Sequence, residues 1–279
     1  MRYYFTFCLA LIIAFYAPCQ RIIGDTNADK PARLSKQETL DQSTMEIIYY
    51  QEAFDPENNI TRDHYSILQI GKHLSKYSNY GYFRLDSAMA TMKGKIITNA
   101  EYDKLLQEYN AEYTDITLKH YQSKVLDMYE SVFIDYFHYQ DELPNFNWEL
   151  SDSTRTICGQ LCHKATGAFR GRIWTAWYCD IAIDNGPWKF RGLPGLILEA
   201  QDSKKEHFFS AAAIRKGSCD IIFKKLNYYE SKRKNVRDAM LHFVDNYDKL
   251  LESLLMNADG SPKKIKNTGR GFYAPLELE

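Results

Sequence analysis

The sequence is short of the residues that punctuate a chain, with 8 Pro and 14 Gly in 279 residues. That excludes a collagen-like or Pro/Gly-rich low-complexity polymer. It has no charge of one sign to spare: 35 Lys and Arg stand against 36 Asp and Glu, a net charge of −1. No global field therefore draws it to nucleic acid or an anionic membrane surface. Its one long apolar run lies in the first nineteen residues and is too short for a comfortable transmembrane span, and nothing later replaces it. No internal repeat occurs, and no nucleophile elbow, zincin helix, phosphate loop or dinucleotide fingerprint. Cysteine is scarce too: of the 6, Cys8 and Cys19 fall in the first nineteen residues.

What the chain has in quantity is aromatic residues, 21 Tyr and 15 Phe, which favour the pleated, half-buried surface of a strand. Residues 1–19, MRYYFTFCLALIIAFYAPC, have the form of a cleaved export signal. Arg2 opens it, 5–16 is apolar, and Ala17 and Cys19 suit the two positions read by a signal peptidase cutting before Gln20. A lipoprotein reading would acylate Cys19; Tyr16, Ala17 and Pro18 make a poor approach to it, so that is the weaker alternative. Residues 20–43 read as a flexible lead.

A single β-rich domain is expected over 44–256. Strand-like runs lie at 45–50, 65–70, 75–83, 124–129, 132–139, 147–150, 155–163, 207–214 and 219–225. A helical insertion is expected at about 84–112, where Thr98-Asn-Ala-Glu101 fits a capping box. Val236, Met240, Phe243, Tyr247, Leu250 and Leu254 recur at steps of three and four, predicting one amphipathic helix over 234–256. Residues 257–279 form a polar tail, basic in its middle and expected to be mobile or peripheral. The fold class is α+β, mainly antiparallel sheet with the C-terminal amphipathic helix packed on one face. A curved sheet or half-barrel, as in periplasmic lipoprotein carriers, is a shape suggested by analogy.

Chemistry concentrates between Cys158 and Asp202. Residues 155–163 and 172–179 read as the arms of a hairpin with Gly167 and Gly171 in the connection. A turn centred between Ala168 and Phe169 would set Cys158 opposite Cys179, making that the candidate disulfide; Cys162 and Cys219 are then a second pair. Metal binding by Cys158, Cys162, His163 and Cys179 is the alternative, but Cys162 and His163 are neighbours whose side chains diverge on a strand. No cofactor or metal is expected. Further on, Pro194 and Gly195 suit a type II turn over 193–196, with Trp188 and Phe190 on one strand face. Arg170, Arg172, Lys189 and Arg191 crowd this region and form a candidate basic rim for a carboxylate, phosphate or glycan acid; the competing reading is a solvated strand face. His163 and His207, with Glu199 and Asp202, could supply acid–base groups.

Cys162, Lys164, Ala165, Phe169-Arg-Gly-Arg172, Ala176-Trp177, Gly186-Pro187, Lys189-Phe190 and Gly192-Leu193-Pro194-Gly195-Leu196-Ile197 closely resemble the signature of the GLPGLI family, exported proteins of Bacteroidota. The resemblance is strong over roughly 155–202 and loose elsewhere. It carries no activity or catalytic residue with it. It implies a periplasmic envelope protein encoded near outer-membrane transport receptors, in which Cys162 is typical and Cys158 and Cys179 are departures. The expected function is a periplasmic binding or adaptor protein serving outer-membrane transport or assembly, with an envelope or outer-membrane protein as partner. The alternative is a hydrolase using His163 or His207, or a thiol-based metal handler.

Overall fold

The computed structural model describes residues 28–92, 94–111, 114–254 and 269–279; the expected export signal, Cys19 and residues 255–268 of the polar tail lie outside them. The elements in chain order are β1 (Lys36–Gln42), β2 (Met45–Asp55), β3 (Ile60–Ile70), β4 (Leu74–Asn79), α1 (Tyr80–Thr91), α2 (Asn99–Glu108), β5 (Ile116–His120), β6 (Val125–Val132) and β7 (Asp135–Glu142). They continue with β8 (Glu149–Ile157), β9 (Gln160–Phe169), β10 (Arg172–Cys179), β11 (Leu196–Asp202), β12 (His207–Lys216), β13 (Asp220–Lys225), β14 (Tyr228–Glu230), α3 (Arg233–Asp245) and α4 (Tyr247–Leu254). The main sheet has 12 strands in the order β14-β7-β6-β5-β4-β3-β2-β12-β11-β10-β9-β8, and every pair but β14–β7 is antiparallel. It is open, not a closed barrel. The expected α+β class with a mainly antiparallel sheet is the observed one.

The sheet curls on itself. β7 stands beside one edge of the order and β9 beside the other, yet Arg170 at the β9–β10 turn reaches Asp141 on β7 at 2.6 Å. Antiparallel strands twist, and a long twisted sheet curls rather than staying flat. The hollow is filled by a core that joins Ile47 and Tyr49 of β2, Met128 of β6 and Tyr139 of β7 to Trp174 of β10 and Phe209 of β12. Val236 of α3 belongs to the same core, and Ala239, Met240 and Phe243 pack against it.

Local chemistry sets several boundaries. Glu101 N donates to Thr98 Oγ1 at 3.3 Å and Thr98 N to Glu101 Oε2 at 2.8 Å, so the capping box opens α2. Asn79 caps α1 by accepting from Tyr82 N at 3.0 Å, which ends the strand expected over 75–83 and starts a helix at Tyr80. The helix expected over 234–256 is broken at Asn246, whose side-chain amide donates to His242 O at 3.0 Å and competes with the backbone ladder. The lead 20–43 is not all flexible: β1 pairs with β13 in a separate two-stranded sheet.

The hairpin register differs from the expected one. The β9–β10 turn is Arg170-Gly171, with φ of 41° and 78°. Two successive positive φ values make a type I′ turn, whose twist matches the strands it joins. The centre thus lies beyond 168–169, and Cys179 faces Cys162, not Cys158. A second turn, Cys158-Gly159 with φ of 48° and 74°, joins β8 to β9, so Cys158 sits at a hairpin tip. Its Sγ donates to Ala211 O at 2.9 Å. All four described cysteines are thiols here, and Cys219 is not beside Cys162 but exposed near Ser43, to whose Oγ its N–H donates at 3.2 Å.

Candidate functional site

Between β10 and β11 the chain leaves the sheet and runs irregularly through the hollow. Trp188, Phe190 and Leu193 are buried among Trp174, Phe146 and Phe209, so this stretch is a plug inside the curled sheet rather than the expected strand and turn. Trp188 holds a positive φ of 47°. A buried loop must satisfy its own backbone groups. Lys119 of β5 does much of this: its Nζ donates to Asn185 Oδ1, Gly186 O and Phe190 O, each at 2.9 Å. Burial pushes the Lys119 ammonium down to about 7, and three oxygen acceptors are the counterweight that uses all its protons. Tyr49 Oη donates to Ile197 O at 2.7 Å, Trp148 Nε1 to Arg191 O at 2.8 Å, and Ile197 N to Asn185 O at 2.9 Å.

The six-residue motif closes the plug, but not as a type II turn. Gly192, not Gly195, holds the positive φ, at 88°. Gly195 is needed for space: a Cβ there would lie 1.9 Å from Cys179 O. Only hydrogen fits against that carbonyl.

Where the plug meets β7 and the β9–β10 turn, charges gather. Arg170 grips Asp141 with both arms, Nη1 to Oδ2 at 2.6 Å and Nη2 to Oδ1 at 2.7 Å, the fork geometry guanidinium favours. Lys189 Nζ reaches the same Asp141 Oδ2 at 2.6 Å. Burial alone would raise the Asp141 carboxyl, but Arg170 and Lys189 outweigh it and hold it well below the usual carboxylate range. Glu277 enters this cluster from the segment 269–279. It accepts from Arg170 Nη1 at 3.0 and 2.9 Å, from Arg233 Nη1 at 2.8 Å and from Lys189 Nζ. One carboxylate thus bridges three cations.

The rest of that segment is held by its backbone. Pro275 O accepts from Arg172 Nε at 3.1 Å and from His207 Nε2 at 3.1 Å. Leu278 N donates to Arg170 O at 2.9 Å, and Leu278 O accepts from Arg237 Nη2 at 2.7 Å. Leu276 packs against the core, and Leu278 lies over Gly171, where a Cβ would meet its own Cβ at 2.9 Å. Residues 269–279 are therefore docked, contrary to the expectation of a mobile or peripheral tail. Arg172 is held from behind by Asp202 at 2.7 Å and Glu206 at 2.8 Å.

Three of the four expected rim residues converge: Arg170 and Lys189 on Glu277, and Arg172 on the neighbouring carbonyl. Arg191 does not; it pairs with Asp184 at 3.4 Å. The cations are not an open rim, since each is paired within the chain. Sequence reading missed Asp141, Glu277, Arg233 and Glu206, which come from distant elements and share no local pattern. Asp202, read as an acid–base candidate, is buried under Arg172.

The acid–base candidates do not assemble. Burial, then the Arg172 charge, pushes His207 down to about 4, and its Nε2 is committed to Pro275 O. His163 faces Asp180 at 3.3 Å, and Glu199 pairs with Arg155. Among the described residues no three His, Cys, Asp or Glu side chains are grouped to hold a metal ion. Cys158, at its hairpin tip, is bonded to Ala211 O rather than joined with Cys162, His163 and Cys179.

Residues 169–199 match a family model described as "Protein of unknown function (Porph_ging)". The matched stretch contains Arg170, Arg172, Lys189 and the whole motif, in agreement with the resemblance read from the sequence. No curated protein matches the chain. Among solved structures the chain is similar to "Structure of PNGF-II in C2 space group", with 14% identity and a TM-score of 0.44 over 70% of this chain and 32% of that one. The P21 form of PNGF-II gives 13% identity and a TM-score of 0.45 over 71% and 33%. An uncharacterized conserved protein from Thermus thermophilus is similar at 8% identity and a TM-score of 0.35, over 68% of this chain and 91% of that one. The chain spans about a third of the length of PNGF-II.

Proposed function

We propose that the chain is an exported, periplasmic binding or adaptor protein that takes an extended acidic peptide on the seat built by Arg170, Arg172, Lys189 and Arg233. The observation that carries this reading is the manner in which residues 275–278 lie there. A central glutamate bridges three cations, flanking backbone groups bond to Arg172, His207 and Arg170, and Leu276 takes an apolar contact. These are the parts of peptide recognition: main-chain bonds for affinity and a charged pocket for selection. In this reading the chain's own segment is the resident occupant, and an acidic stretch of an envelope or outer-membrane protein competes for the seat. The near-zero net charge fits a local rather than global attraction. Among the described residues no helix is long and apolar enough to cross a membrane.

The test uses the full chain carrying Glu277→Gln, which loosens the resident segment, and a fluorescent peptide with the sequence of residues 272–279. Saturable binding by anisotropy is expected, weakened by salt, lost when Arg170→Ala is added and kept when Arg191→Ala is added. Uptake by neither variant, or equal uptake with and without Arg170, overturns the reading. Export is tested separately by N-terminal sequencing of the periplasmic fraction, with Gln20 as the expected first residue.

A further inference from the structure

The seat is one end of the β9–β10 hairpin; the other end carries two thiols face to face. Cys162 and Cys179 are direct partners in an unbroken ladder of eight pairs that closes at Phe169↔Arg172. A two-residue type I′ turn makes the closing pair hydrogen-bonded, and pair types alternate from there. Cys162↔Cys179, seven steps on, is a non-hydrogen-bonded pair. An independent bond confirms the phase: Ala168 N donates away from β10, to Phe146 O at 2.9 Å, as the non-hydrogen-bonded pair Ala168↔Ile173 requires. In such pairs the Cα atoms lie about 4.5 Å apart and the side chains share a face. That is within the roughly 4.4–6.8 Å span a disulfide bridges. Burial, then the neighbouring Cys179, pushes the Cys162 thiol up to about 11.

We infer that Cys162 and Cys179 form a cross-strand disulfide when the chain folds in an oxidising compartment. The oxidant is a dithiol–disulfide exchange partner, protein or small molecule. One cysteine, as thiolate, attacks a sulfur of the oxidant's disulfide and expels a thiolate. The second cysteine then attacks the mixed disulfide and expels the other. The two cysteines lose two protons and two electrons in all, and the oxidant leaves as two thiols. Both residues are fully buried in the finished fold, so the exchange belongs to folding, before the pair is covered; afterwards the bond is sealed from reductant. The bridge bears on the motif, because Cys179 O is the group against which Gly195 packs. It would also tie the base of the hairpin whose tip holds Arg170.

The full chain, unfolded and reduced, is refolded with glutathione and glutathione disulfide; free thiols are then alkylated and the protein is mapped without reduction. A peptide linking Cys162 to Cys179 is expected, with Cys158 and Cys219 alkylated. Alkylation of both Cys162 and Cys179 in the folded product, or linkage of either to Cys158 or Cys219, overturns the inference. A second measurement does not depend on a variant folding: a urea titration equilibrated with dithiothreitol, which reduces the bond as the chain unfolds, should give a lower midpoint than the oxidised wild-type chain without it. An unchanged midpoint, with the bond shown to be reduced, would deny the bridge its role in holding the hairpin.

Discussion

Replacing Glu277 by Gln keeps the side chain's length and removes the charge that bridges three cations. Asp141 alone would then face Arg170 and Lys189, while Arg233 would lose its carboxylate. The three pairs are not equal. Lys189 is 1% exposed and Arg233 27%. Removing one partner of a buried pair strands the other and costs about 3–5 kcal/mol, whereas an exposed pair is worth about 0–1 kcal/mol. Lys189 keeps Asp141 as a partner at 2.6 Å, and the segment 269–279 can undock and admit water, which places the expected cost of Glu277→Gln at about 2–4 kcal/mol. The pairs separate in double-mutant cycles, Glu277→Gln combined with Lys189→Met and with Arg233→Ala, read by urea denaturation at neutral pH and low salt. A coupling of about 2 kcal/mol or more is expected with Lys189, and less than about 1 kcal/mol with Arg233. Coupling to Lys189 below about 0.5 kcal/mol, the ordinary error of additivity, would refute the claim that Glu277 is held chiefly by a buried charge.

Asp141 gives a pH signature. Its carboxyl is held below the unfolded value by Arg170 and Lys189, so its contribution is whole above about pH 4 and is lost as pH falls through the native value. Urea midpoints should fall steeply on acidification, and Asp141→Asn should flatten that profile while costing about 3 kcal/mol at neutral pH. Lys119→Met removes the donor to Asn185 Oδ1, Gly186 O and Phe190 O; Asn185 Oδ1 keeps the Gly186 N–H at 2.9 Å, but the two buried carbonyls lose this donor. A loss of at least about 3 kcal/mol is expected, with faster hydrogen exchange at the Ile197 amide. Gly195→Ala sets a methyl group against Cys179 O and should cost about 3 kcal/mol. Gly159→Ala, where φ is 74° but the space is open, should cost about 1 kcal/mol by the same denaturation assay.

Much of the fold was legible because its signals are local. The runs at 45–50 and 65–70 lie inside β2 and β3, where aromatic and β-branched residues crowd a pleated surface. Thr98 and Glu101 announced α2 because both halves of a capping box fall within one turn. What failed was phase. Arg170-Gly171 and Cys158-Gly159 make type I′ turns with a non-Gly first residue, and neither Arg nor Cys advertises a positive φ as Asn or Asp would. A centre placed at 168–169 moved every partner across the hairpin, and with it the disulfide assignment. The motif was visible as a sequence, but its physical basis was not, since Gly195 is constrained by a carbonyl on another strand rather than by its own φ. The seat was half visible. Arg170, Arg172 and Lys189 lie within twenty residues, whereas Glu277 is 107 residues from Arg170, and ion pairs over such separations leave no spacing to read.

Lys189 connects the two halves of the site. It stands between Trp188 and Phe190, whose rings fill the hollow, yet its ammonium lies with Asp141 and Glu277 at the seat. A side chain anchored in a close-packed plug cannot follow a moving carboxylate without disturbing its neighbours. If the seat exchanges its occupant as proposed, the change should be felt at Trp188 and Phe190, and through the carbonyls of Gly186 and Phe190 at Lys119 of β5. The plug is in turn backed by Gly195 on Cys179, at the far end of the hairpin whose tip carries Arg170. The motif region thus has one task with two faces: it fills the curled sheet, and it fixes where the seat's lysine stands. Trp188, packed against Trp174 at 6.1 Å between ring centroids, is the natural reporter of that coupling. Its fluorescence should change when Glu277 is neutralised and stay constant when Arg191 is, because only the first alters the charge that Lys189 answers.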